Sequence, residues 1–172
     1  MLPLDRMWVR SARTRLWRWL VDEVVHAPLD PILHPSTLRL RTAGAAFVAG
    51  HLLFYGLWAH VYVQPYEHLG ARLAMAALGL ALFLPALRRD SSSRASVWTY
   101  SLVCWAVMPA FFFWMYEMNG GNAVWLASVS AMLLIYFQLT DWRLAALGSL
   151  LGLLVATLLA EALHGSGLAV LL

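Results

Sequence analysis

The sequence predicts an all-α integral membrane fold: a bundle of five transmembrane helices preceded by an amphipathic helix lying in the membrane interface. Three observations predict it. Hydrophobic residues make up 62% of the 172, charged residues only 12%, and mean hydropathy is +0.69; soluble domains average about 45–50% apolar and about 25% charged. Five apolar stretches, residues 43–63, 71–87, 97–116, 123–139 and 144–163, are close to the roughly 20 residues that cross a hydrocarbon core. Arginine, which supplies every Lys+Arg charge, collects on alternate connectors.

The arm, residues 1–42, carries Arg6, Arg10, Arg13, Arg15 and Arg18 through its apolar positions, so it is not a span. Over residues 4–25, Trp8, Leu16, Trp19, Leu20 and Val24 share one helical face, with several arginines elsewhere on the wheel. Such a helix lies in the plane of the inner leaflet, its arginines drawn to anionic lipid at about 1 kcal/mol each; docking to a protein partner is the alternative. Pro28, Pro31 and Pro35 then break it. The first long apolar run begins only at residue 43, and no small-residue cleavage site follows a short apolar core, so the pattern is not a signal peptide.

Residues 43–172 form the bundle. Span one carries His51, Tyr55, Trp58 and Tyr62 as a polar-aromatic stripe. No other span holds a histidine to face His51, so haem is not expected, and no residue set resembles a metal site; cofactors are expected to be none. His51 is either an interhelical hydrogen-bonding group or, as an ionisable residue inside the membrane, a ligand contact. Span three presents Trp98, Ser101, Trp105, Met108 and Phe112 at helical spacing, with Pro109 disturbing the helix and Phe111-Phe112-Phe113-Trp114 making one half strongly aromatic. These rings are either an interfacial belt or the wall around an apolar tail. A tight turn at Met118-Asn119-Gly120-Gly121-Asn122 leads into span four, where Trp125 and Ser128 share a face. An indole beside a hydroxyl suits a small polar head on a hydrocarbon chain, although on spacing alone a helix-packing seam is the better account of the serine. Asp141 and Arg143 stand ready to pair before span five. The run Leu168-Ala169-Val170-Leu171-Leu172 resembles the first turn of a sixth span.

Orientation follows from arginine placement. The arm, the 88–94 connector and Arg143 are on one side and only Arg72 is on the other, which puts the N-terminus in the cytoplasm. Nothing resembles a phosphate loop, a nucleophile with its base, or a nucleic-acid-binding face, so catalysis is not expected of these residues.

The residues also resemble a known family. Tyr66-Glu67-His68-Leu69-Gly70-Ala71-Arg72 looks like that family's Tyr-Glu-Asn-Leu-Gly-x-Arg. Arg89-Asp90, Pro109 with Phe111–Phe113, Met118-Asn119, Trp-x-x-Ser at Trp125 and Ser128, and Asp-x-Arg at Asp141 and Arg143 then recur in order. Together they are similar to the membrane sensor domain of CqsS-type quorum-sensing histidine kinases. The resemblance implies a receptor for a small lipophilic signal, an α-hydroxyketone or aminoketone, whose head group is read by Trp125 and Ser128. It also implies a sixth span and a dimerising kinase module outside these residues. Trp105, Met108, Phe112 and His51 complete the expected ligand contacts. The alternative reading is a structural or scaffold membrane subunit whose aromatics serve packing and lipid anchoring.

Overall fold

The computed structural model describes residues 35–85, 87 and 93–165, together with residues 14, 15, 17–19, 21 and 22 of the arm. The chain divides into two units at residues 30 and 31. In the first unit, residues 14, 15, 17–19 and 21 are helical, with Trp17 and Trp19 exposed. The rest of the expected interfacial helix lies outside the described residues.

The second unit is helical, with no strand among the described residues. Helix α1, Thr37–Gly56, starts before its apolar run because the Ser36 hydroxyl accepts from the Arg39 amide at 3.2 Å. It continues through a π-helical turn, Leu57–Val61. Helix α2 is Leu69–Ala81. The expected second span runs to residue 87, but α2 gives way to successive i→i+3 bonds at Leu82, Phe83 and Leu84. Pro85 is the reason: the residue before a proline is pushed away from helical dihedrals.

Helix α3, Arg94–Trp105, passes through a second π-helical turn at Ala106–Ala110, with Pro109 inside it, into α4, Phe111–Met118. The disturbance expected at Pro109 therefore takes the form of a π turn, and the Phe111 amide reaches back five residues to the Ala106 carbonyl. Helices α5, Ala123–Leu139, and α6, Trp142–Gly165, complete the bundle. The Asn122 side chain caps α5, accepting from the Trp125 amide at 3.0 Å. Asp141 pairs with Arg143 at 2.9 Å, as their spacing suggests.

Three helical stretches are long and apolar enough to cross a membrane: Thr37–Val61, Arg94–Met118 and Trp142–Leu163. Leu69–Ala81 and Ala123–Leu139 are apolar but shorter. These are the helices of a membrane protein. Many large apolar side chains face outward, among them Leu53 at 73% and Leu134 at 73% exposure, which is what a lipid-facing surface requires.

Close backbone approach replaces side-chain interdigitation at two seams. A Cβ on Gly79 of α2 would lie 2.9 Å from the Phe47 Cβ of α1, and one on Gly44 would lie 2.8 Å from the Gly79 carbonyl oxygen. A Cβ on Gly152 of α6 would lie 2.9 Å from the Pro109 Cβ, so α6 seats directly against the second π turn. Small residues at such seams let helices gain van der Waals contact where water supplies no driving force.

Candidate functional site

The site lies where the 62–68 connector meets the turn between α4 and α5. Asn119 joins them. Its Oδ1 accepts from the Tyr66 amide at 2.9 Å, while Nδ2 donates to the carbonyls of Tyr66 at 3.0 Å and Met115 at 2.8 Å. A second clasp runs from Asn122 Nδ2 to Gln64 Oε1 at 3.0 Å. Gly120 and Gly121 have φ of 63° and 67°, a left-handed pair that lets the chain reverse between the two asparagines.

The connector sets up an ion pair. His68 caps α2, its Nδ1 accepting from the Ala71 amide at 3.1 Å, the job an asparagine does equally well in the pattern this segment resembles. With the helix start fixed, Arg72 folds back onto Glu67 through two parallel bonds, Nε to Oε1 and Nη2 to Oε2, each 2.8 Å. Both side chains are buried, at 1% and 4% exposure. Burying two charges is expensive, and the bidentate geometry offsets part of that cost.

Aromatic rings enclose the pair. The Arg72 guanidinium lies 4.9 Å from the Phe111 ring centre and 5.5 Å from that of Trp125. Phe111 is the hub, with His51 edge-on at 4.7 Å, Phe112 at 5.8 Å and Trp114 at 6.1 Å. Trp125 meets Phe112 at 6.1 Å and Trp58 at 6.5 Å, and Trp114 meets Tyr66 at 5.7 Å. Inside this cluster, His51 Nδ1, the Tyr66 hydroxyl, Trp114 Nε1 and Trp125 Nε1 are buried without a hydrogen-bond partner among the described residues. Buried polar atoms are nearly always satisfied, so four orphans in one connected set of rings call for an explanation. The Tyr66 phenol, outside the spans, is held above its ordinary pKa by burial and by the neighbouring Glu67 carboxylate.

The residues expected from sequence divide into two groups. Trp125, Phe112 and His51 come together here, with Trp125 fully buried. Met108 belongs to the adjoining apolar core with Val129, Met132 and Tyr136, and Phe112 packs against both clusters, forming a bridge between them. Trp105 is committed elsewhere: its indole N–H donates to the Gly148 carbonyl at 3.0 Å, tying α3 to α6. Ser128 is at the margin of the buried face of α5, and its hydroxyl donates to the Val124 carbonyl at 2.9 Å, leaving only acceptor capacity. Arg72, Glu67, Tyr66 and Trp114 are not among the expected contacts. The available signal is Arg72 itself, a charge inside the first turn of an apolar helix with a glutamate just before the cap; intramembrane charges mark function by default. Among the described residues no group of three or more His, Cys, Asp or Glu could hold a metal ion.

No family model and no solved structure matches the chain. Among curated proteins it is similar to the CAI-1 autoinducer sensor kinase/phosphatase CqsS of Vibrio cholerae serotype O1, with 29% identity over 121 residues. The match covers 70% of this chain and 18% of that protein, so the chain spans less than a fifth of the length of the relative it matches. The chain is a helical membrane protein with similarity to a sensor kinase.

Proposed function

We propose that this chain is the signal-binding membrane module of a quorum-sensing histidine kinase. Five spans with a cytoplasmic N-terminus sit in a bacterial inner membrane, and the arm lies on its anionic inner leaflet. The bundle binds a small lipophilic signal, an α-hydroxyketone or a close aminoketone relative. Occupancy is relayed to a dimeric cytoplasmic kinase region outside these residues, which themselves perform no catalysis.

The observation that carries this reading is the ring cluster around Arg72 with its buried, unpartnered polar atoms. A scaffold helix would gain nothing from leaving indole and imidazole nitrogens unsatisfied in a low-dielectric interior. A polar head seated among the rings satisfies them, and Phe112 leads from there towards Met108 and the apolar core, a path suited to an alkyl tail.

The test is binding of a medium-chain α-hydroxyketone to the purified chain in lipid nanodiscs. Trp125→Ala should weaken binding more than Ser128→Ala, because the serine's proton is already given to Val124. Unchanged affinity in both variants, with the fold intact, would place the ligand elsewhere.

A further inference from the structure

Resting on the receptor reading above, we propose that His51 is the second polar reader of the ligand head, acting together with Trp125. Four of the six residues expected to contact ligand have no buried, unpartnered polar atom to offer. Trp105 gives its N–H to Gly148, and Ser128 gives its hydroxyl proton to Val124. Met108 and Phe112 have no polar hydrogen. Arg72, the nearest charge, has Nε and Nη2 held by Glu67. His51 and Trp125 remain. They are 4% and 0% exposed, and His51 Nδ1 and Trp125 Nε1 have no partner among the described residues.

The two side chains come from α1 and α5, and both rings lie against Phe112, at 6.4 and 6.1 Å between centres. Their chemistry is complementary. An indole N–H only donates, so it requires an acceptor such as a ketone oxygen. His51 bonds the Val107 backbone through its other ring nitrogen, so in the neutral imidazole Nδ1 is left to accept. A hydroxyl donates to it, and a ketone oxygen cannot. A head with a ketone next to a hydroxyl therefore matches both orphans with two atoms, whereas a simple ketone leaves Nδ1 unsatisfied and a simple alcohol has to serve both through one oxygen. The edge-on packing of His51 against Phe111 at 4.7 Å fixes the imidazole plane, so the nitrogen is presented in one direction.

Three probes separate the possibilities: a medium-chain α-hydroxyketone, the same chain with the ketone only, and the same chain with the hydroxyl only. Each is titrated against the purified chain in nanodiscs, with thermal melting as the control for folding. Wild type should bind the hydroxyketone tightest. His51→Phe should bind the simple ketone as wild type does but lose about 2- to 12-fold for the hydroxyketone, the worth of one neutral hydrogen bond. His51→Asn, whose amide can take the place of Nδ1, should recover part of that loss, and it is the variant to read if His51→Phe does not fold. Full hydroxyl preference in a folded His51→Phe, or a hydroxyl preference in His51→Asn that is unchanged when its amide is removed in His51→Leu, overturns the role of His51 and leaves the receptor reading standing. Failure of all three probes to bind folded wild type overturns both.

Discussion

At the scale of single residues, the buried Arg72–Glu67 pair dominates. Removing one partner from such a pair strands the other charge, at about 3–5 kcal/mol. Glu67→Gln and Arg72→Met should each lower the melting temperature of the purified chain sharply, while combining Glu67→Leu with Arg72→Met should recover much of the loss. A melt that ignores either single change would show that the pair contributes nothing to the fold. Tyr66 gives a second prediction. Its pKa is raised above the ordinary 10.0, so the fold favours the neutral phenol. That contribution is fully present below pH 10.0 and is lost as pH rises through the raised value. Melting curves should fall at alkaline pH in wild type and fall less in Tyr66→Phe. Legibility at this scale was uneven. Trp125 could be singled out because it shares one face of the expected helix with the Ser128 hydroxyl. The Arg72–Glu67 contact could not, because it spans five residues across a cap and follows no helical face. Nor could the sequence tell that Ser128 turns its hydroxyl back to its own helix, a choice open to any serine in an apolar environment.

At the scale of elements, the glycine seams decide how closely helices pack. Gly79→Val places new atoms against the Phe47 Cβ and the Gly44 carbonyl, neither of which can swing away. Gly152→Val does the same against the Pro109 ring and the Ala110 nitrogen. Overpacking of this kind costs about 1–3 kcal/mol. Thermal melts should show both losses, and Gly50→Ala, where nothing lies within 4 Å, should be nearly silent. The reversal between α4 and α5 was readable from Met118-Asn119-Gly120-Gly121-Asn122. Faces beyond the π turns were not. The stripe expected from His51 to Tyr62 holds for buried His51, but Tyr62 lies beyond the Leu57–Val61 turn and is 62% exposed. Periodicity counted at 3.6 residues per turn loses its register where the helix widens.

At the scale of the whole molecule, composition alone was enough to identify a helical membrane protein, because so few charges remain to meet water. The number of spans is a finer matter, since α2 and α5 are short for a full crossing. Arginine asymmetry predicts the sidedness. In a Cys104→Ala background, Gly121→Cys should react with an impermeant maleimide on intact cells and Ser92→Cys should not. The reverse pattern would invert the topology. Cys104 is buried, so its removal clears the background without touching an accessible thiol.

The π turn at Ala106–Ala110 carries a consequence for how the ring cluster tolerates changes in chain length. A turn of this kind holds one residue more than the α-helical turn it replaces. Deleting Ala110 would restore ordinary winding and leave α4 facing nearly the same way, because the wider turn has already absorbed the extra residue. Phe111 would then stay near both His51 and Arg72. A deletion within the ordinary winding of α3 would instead turn everything after it by about 100°. The wide turn is slack in the chain, a place where a one-codon deletion spares the arrangement of the rings.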